Sequence, residues 1–292
     1  MDIRWLKTFI ICAKYENFRK ASEDLFLTQP AITKHIKRLE EHLNIQLFDR
    51  KGKAVSLTPA GYKFLPYAKE FVSKYEEGID SFESWKQGYS RKLTIAVAPQ
   101  IAASFLPSLL RTFIDENPDI EVVINIVKSF QIGDEINSGK ADLGLSRVKP
   151  LQDNLNVKMI HEEPVILVGA SVDYEGRQDV ESEVLPTYTL ITHNHPEYWD
   201  SLLNDVKRHY PTVRTMVVNQ VEVTKKFIEN GLGVSYLPLS MVKDEIEKSH
   251  LSEIKSEKVS TPMSATYVLT KVETTETRSF IDFLKLAMLE RF

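Results

Sequence analysis

One cysteine, Cys12, in 292 residues rules out any disulfide within the chain. It sits in the apolar run Phe9-Ile10-Ile11-Cys12-Ala13, the setting of a small core residue rather than a reactive thiol. No uncharged apolar run approaches the roughly 20 residues a membrane helix needs, and no membrane partner is expected. The first residues show no basic, apolar, small-residue cleavage pattern, so a cytoplasmic protein is expected. Glycine is scarce, with 11 residues, and forms no phosphate-cradling loop. Gly231-Leu232-Gly233 follows a helical pattern and reads as a C-cap and turn. Catalytic constellations are missing too. Asp142-Leu143-Gly144-Leu145-Ser146 lacks the strand–turn–helix setting of a nucleophile elbow. His193-Asn194-His195-Pro196-Glu197 has no Cys or further His nearby at a recognised metal spacing. These absences argue against an enzyme, and no metal or cofactor is expected.

What is present is a soluble globular composition, 42% hydrophobic and 27% charged, long enough for two or three domains. The net charge of −4 hides an asymmetry. Residues 1–64 hold twelve Lys and Arg against seven Asp and Glu, a net +5, and the remainder carries −9. A basic head on an acidic body directs a polyanion to one end of the molecule.

The head begins with a helix over 3–15 that turns Trp5, Leu6, Phe9, Ile10 and Ala13 to a core. Phe18 to Glu40 then reads as two helices joined by a tight turn. Thr28 caps the second, and Pro30 lies in its first turn, where a missing N–H costs nothing. Ile32, Ile36, Leu39 and Leu43 recur at helical spacing, leaving Thr33, Lys34, Lys37 and Arg38 largely on the other side. A helix packed on one face and cationic on the other suits the major groove of DNA. Arg50-Lys51-Gly52-Lys53 reads as a hairpin tip: either a wing on phosphates or a solvated charged turn. Thr58-Pro59 starts a long helix. In it Leu65, Ala68, Val72, Tyr75, Ile79 and Phe82 alternate spacings of three and four, a heptad seam. That seam fits either a second copy of the chain or packing on its own domain. Pro66 should bend the helix or cost one hydrogen bond.

From Lys92 onward strand and helix patterns alternate, as in an α/β protein. Val122–Val127, apolar but for Asn125, reads as a strand of a doubly covered parallel sheet. Ligands of such sheets bind at loops following the strands. Those loops hold Gln100 and Ile101, Ser129, Arg147 and His193. Gln100, Ser129 at a helix start, Arg147 as a bidentate cation and His193 read as an anion-binding set or as ordinary solvated loop residues.

The residues Leu27-Thr28-Gln29-Pro30-Ala31, Ile36, Leu39-Glu40-Glu41, Leu47-Phe48-Asp49-Arg50 and Leu57-Thr58-Pro59-Ala60-Gly61 resemble, in order and spacing, the winged helix-turn-helix of LysR-type transcriptional regulators. The resemblance implies a multidomain α+β chain. A winged helix-turn-helix would span 1–58, a dimerising linker helix 59–90 and an effector-binding domain 91–292. That domain would be two-lobed, α/β and periplasmic-binding-protein-like. Lobe I would be 91–161 with 266–292, lobe II 162–265, with crossovers at His161-Glu162-Glu163-Pro164 and Met263-Ser264-Ala265-Thr266. It also implies residue roles. Thr28, Gln29, Pro30, Thr33, Lys34, His35 and Lys37 would face the groove or its phosphates, and Arg50 and Lys53 would hold the wing on the backbone. Many members carry Arg and Gln where this chain has Lys34 and His35, which leaves its base preference open. Implied partners are double-stranded promoter DNA, further copies of the chain as a homodimer or homotetramer, RNA polymerase and a small-molecule effector. The run Trp5-Leu6-Lys7-Thr8-Phe9 with Lys14 to Lys20 is similar to citrate-metabolism regulators of low-GC Gram-positive bacteria, which makes citrate the first effector candidate. The competing class is a solute-binding or enzymatic α/β protein with a helical head.

Overall fold

The computed structural model describes residues 1–51, 54–171 and 180–291, and of residues 50, 51, 54, 290 and 291 only the backbone. The chain divides into two units, Met1–Gly88 and Tyr89–Phe292.

The first unit opens with three helices whose starts are each closed by a side chain. In α1 (Ile3–Tyr15) Asp2 accepts from Arg4 N, and in α2 (Phe18–Asp24) Asn17 accepts from the N–H groups of Arg19 and Lys20. In α3 (Gln29–Leu43) Thr28 accepts from Ala31 N. Such caps each contribute about 1 kcal/mol. Phe9, Cys12, Phe18, Ile32, Ile36, Leu39 and Phe48 are buried together. The Phe48 ring meets Phe9 and Phe18 edge-on at 5.5 and 5.4 Å. Glu40 at the end of α3 accepts from the N–H groups of Leu47 and Phe48, fixing the path into β1 (Phe48–Lys51). That strand pairs antiparallel with β2 (Ala54–Leu57) as a hairpin whose tip, including Gly52 and Lys53, lies outside the described residues. The long helix α4 (Pro59–Lys86) follows, capped by Thr58 and unbroken across Pro66. Gly61 is required on its inner face, because a Cβ there would collide with the carbonyl oxygen of Leu47.

The expected seam on α4 is split. Ala68 and Val72 are buried in the core of the first unit, and Leu65 is half-buried against it, because this stretch of α4 packs on α1. Ala68 and Val72 are thus unavailable as the partner surface the heptad pattern suggested, while Leu65 keeps part of its surface. Tyr75, Ile79 and Phe82 remain about half exposed.

The second unit begins with β3 (Arg91–Val97), α5 (Pro99–Ala103), α6 (Leu106–Glu116), β4 (Ile120–Ile126), α7 (Ser129–Asn137) and β5 (Leu143–Ser146). The strand β6 (Asn156–Ala170) comes next, then α8 (Glu181–Thr187), β7 (Leu190–Thr192), α9 (Trp199–His209), β8 (Thr215–Val217) and α10 (Val221–Glu229). It closes with β9 (Ser235–Pro238), α11 (Leu239–Glu247), β10 (Leu251–Ile254), β11 (Met263–Thr270) and α12 (Thr275–Arg291). One sheet runs in the order β10-β6-β11-β5-β3-β4, with β9 also on β6, while β7 and β8 pair in parallel separately. The 15-residue β6 joins two cores: its first half pairs with β11, its second with β9 and β10. One core gathers Ile95, Phe113, Leu143 and Phe280, the other Leu167, Trp199, Val206 and Tyr236. The unit is therefore two-lobed. The two chain crossings lie side by side, with Met263 opposite Pro164 and Thr266 opposite His161.

The apolar run expected as a doubly covered strand is β4, which is the edge of the sheet. Its middle is half-buried and Ile126 is 61% exposed. An edge strand has a neighbour on one side only, so apolar sequence does not guarantee burial there.

Candidate nucleic-acid face and interlobe cavity

Two groups of residues have chemistry beyond packing. The first is the outer face of α3. Gln29, Pro30, Thr33, Lys34 and Lys37 line a shallow concavity on it. Thr28, Gln29, Pro30, Lys34 and Lys37 are exposed and Thr33 is half-buried. Two of the polar groups are partly engaged: the Thr28 oxygen caps α3, and the Thr33 hydroxyl donates to Gln29 O at 3.1 Å. Lys37 reaches Glu41 at only 3.7 Å with both side chains exposed, a pair easily exchanged for a phosphate.

His35 was expected on this face and does not belong to it. Its ring is turned against α1, with Nδ1 2.9 Å from Thr8 Oγ1, and burial pushes its pKa down. The Thr8 hydroxyl donates its proton to Arg4 O at 2.8 Å, so Nδ1 carries the proton of the His35 contact. One residue ahead of buried Ile36, position 35 flanks the packed stripe, and the sequence spacing alone did not show on which side. The Arg50 side chain and Lys53 lie outside the described residues.

The second group surrounds a cavity of about 460 Å³ in the second unit. Its walls are the loops leaving four strands: Pro99 and Gln100 after β3, Lys128 to Phe130 after β4, His193 to Pro196 after β7, and Asn219 to Glu222 after β8. Parallel strands deliver all four loops to the same ends, since β3 pairs with β4 and β7 with β8 in parallel. The cavity therefore opens between the lobes. The helices α7 and α10 both start on it, and neither has a side-chain cap. Their free N–H groups favour negative charge.

Gln100, Ser129 and His193 are brought together as expected from their loops. Ser129 is buried, and its Oγ accepts from Arg147 N at 3.3 Å, leaving the hydroxyl proton to donate. Gln100 donates from Nε2 to Asn194 O at 3.4 Å, across the lobes, while its buried Oε1 has no partner among the described residues. His193 is held at φ 65°, hydrogen-bonded through Nδ1 to Thr192 at 2.8 Å.

Two expected members are elsewhere. Ile101 is fully buried in the first-lobe core, because the short helix α5 turns it inward. Arg147 is fully buried too, and does not line the cavity. Its NH1 meets Glu163 at 2.8 Å and NH2 donates to Ser240 Oγ at 3.2 Å. Glu163 in turn accepts from the N–H and hydroxyl of Ser240 at the start of α11. The guanidinium thus serves a carboxylate within the chain. The loop rule that found Gln100 and Ser129 also reaches Lys128, Asn219 and Gln220, which the sequence reading passed over.

His195 borders the cavity but is buried. Its Nδ1 accepts from Glu197 N at 3.3 Å, so the neutral ring carries its proton on Nε2, 3.2 Å from Ser264 Oγ. Burial, aided by the charge of Arg147, pushes its pKa well below 6.5. Burial also lowers His161. As pH falls through about 6.5 the unfolded chain takes up these protons before the folded chain does, so stability is lost. The thermal midpoint is expected to drop from pH 7 to pH 5, as buried His195 withdraws up to about 1.4 kcal/mol of folding stability per pH unit. Thermal scans should show a shallower fall for His195→Gln; identical slopes would remove His195 from the account.

Among the described residues no helix is long and apolar enough to cross a membrane. A family model for the LysR substrate binding domain matches residues 86–288, and one for the bacterial regulatory helix-turn-helix protein, lysR family, matches residues 3–62. The chain is 43% identical over 287 residues to the HTH-type transcriptional regulator CitR of Bacillus subtilis (strain 168), covering 97% of this chain and 98% of that one. It is 38% identical to the uncharacterized HTH-type transcriptional regulator YxjO of the same organism, covering 96% of each. Among solved structures, full-length CbnR complexed with target DNA superposes with a TM-score of 0.66 at 21% identity, covering 98% of this chain and 100% of that one. Vibrio fischeri DarR in complex with DNA gives 0.65 at 20% identity, covering 98% of each. At these identities the two structures show likeness of fold.

Proposed function

The chain belongs to the LysR family of bacterial transcriptional regulators, and from that premise we propose that its interlobe cavity senses a small hydroxy-carboxylate, citrate first. It is a DNA-binding regulator rather than an enzyme. The observation that carries the effector reading is the company kept by Gln100. Its unpartnered Oε1 accepts a hydrogen bond, as from a ligand hydroxyl. Lys128, the Ser129 hydroxyl and the uncapped starts of α7 and α10 offer donors and positive charge for carboxylates in the same space. Citrate has both kinds of group and is small enough for about 460 Å³. The relative named CitR supports the same choice.

A ligand that prefers one separation of the lobes shifts the population toward it. The Gln100–Asn194 contact spans that separation. For DNA binding, Thr28, Gln29, Pro30, Thr33, Lys34 and Lys37 form the recognition surface, in the cytoplasm. The exposed residues of α4, Tyr75, Ile79 and Phe82, with Phe71 and Trp85 on the same face, join two copies of the chain. Two recognition helices then read a two-fold site.

The test is a thermal-shift series on the full chain with citrate, isocitrate, malate and succinate. A ligand at 100 times its Kd stabilises the state it binds by about 2.7 kcal/mol. Citrate is expected to raise the midpoint, malate to exceed succinate, and Ser129→Ala to weaken the response about tenfold. No shift with any of the four acids rejects the carboxylate effector and leaves the DNA-binding assignment untouched.

A further inference from the structure

Packing does not account for one aromatic ring in the first unit. Phe26, in the turn between α2 and α3, is 95% exposed. Its φ is +52°, in the left-handed region where a Cβ is strained and Gly or Asn is usual. The turn is held without it: Leu27 N donates to Ser22 O at 3.0 Å, and Leu25 packs on the core. An aromatic at position 26 therefore carries backbone strain and leaves apolar surface in water, with no return within the fold.

Its position supplies the missing partner. Phe26 stands two residues ahead of Thr28, the cap of α3, and so borders the exposed Thr28, Gln29 and Pro30. The start of a recognition helix is the part that enters the groove. We propose that Phe26 is a DNA-contacting residue whose ring packs on an apolar part of the duplex, a deoxyribose edge or a thymine methyl group, at the rim of the groove that α3 enters. The assignment rests on the DNA-binding reading of α3 and continues that surface by one residue type it otherwise lacks. Such a contact differs in kind from those of Lys34 and Lys37. It adds affinity by removing apolar surface from water, with no counterion released.

The experiment uses a duplex selected by the wild-type protein from a random-sequence pool, with affinities measured by anisotropy across a salt series. Phe26→Asn, which suits a left-handed backbone, is expected to weaken binding roughly tenfold. The slope of log affinity against log salt should stay the same, and the thermal midpoint should not fall. Lys34→Ala should instead lower both the affinity and the slope, and Phe26→Tyr should retain most of the binding. Affinity of Phe26→Asn within twofold of wild type overturns the contact, and leaves the ring to a protein partner. A loss of affinity together with a changed salt slope also overturns it, because the head would then have reoriented. If the wild-type protein selects no duplex, or Lys34→Ala binds as wild type does, the failure lies with the recognition surface of α3 itself.

Discussion

Arg147→Ala is expected to destabilise the second unit by about 3–5 kcal/mol, the cost of leaving a buried carboxylate without its cation. Arg147 and Glu163 are both almost wholly removed from solvent and meet at 2.8 Å. With the guanidinium gone, Glu163 keeps, among the described residues, the Ser240 N–H and hydroxyl. A cavity the size of the lost side chain adds to the penalty. The double substitution Arg147→Met with Glu163→Gln removes both charges, and should recover more than half of the loss. Urea denaturation of the full chain, followed by Trp199 and Tyr236 in the second-lobe core, measures both variants. The opposite pattern would be decisive. An Arg147→Ala protein with wild-type stability but no citrate response would return this arginine to the ligand, as its place after a strand first suggested.

The second large effect is expected from the exposed stretch of α4. Ile79→Asp puts a charge in the middle of Tyr75, Ile79 and Phe82, all exposed in the single chain. Folding stability should change by less than about 0.5 kcal/mol, as for most surface substitutions. Self-association should be lost, and with it simultaneous binding to two half-sites, so apparent DNA affinity should fall by about 10²–10⁴. Val72→Ala is the contrasting variant. Val72 is buried in the first unit's own core. Its truncation should lower stability by about 1–3 kcal/mol and leave the oligomer intact once the protein is folded. Light scattering and thermal denaturation separate the two. An Ile79→Asp protein that remains a dimer would exclude this face as the interface.

Several roles that depend on near neighbours are legible in the sequence. Thr28 and Thr58 cap the helices expected of them, and Pro30 and Pro59 stand in the first turns. Ile32, Ile36 and Leu39 form the buried stripe their spacing implied. Strand-end loops bring Gln100, Ser129 and His193 to one cavity, since parallel strands send their following loops the same way. The alternation of patterns does not show the full length of β6. The run Lys158-Met159-Ile160-His161-Glu162-Glu163 within β6 lacks the apolar pattern of a strand, although backbone pairing with β11 makes it one.

By itself, then, the sequence determined the caps, the recognition helix, the α/β alternation and, through its motifs, the family. These rest on interactions across one or two helical turns or on strand alternation, which chain order records directly. The tertiary structure alone decided where His35, Ile101 and Arg147 point, and which half of the α4 stripe is left for a partner. Each outcome turns on a neighbour distant in sequence: Thr8 for His35, Glu163 and Ser240 for Arg147, α1 for Ala68 and Val72. A cation after a strand looks the same in sequence whether it meets a ligand or a buried carboxylate. Folding brings Glu163 to Arg147, and that contact, not the spacing, commits the charge.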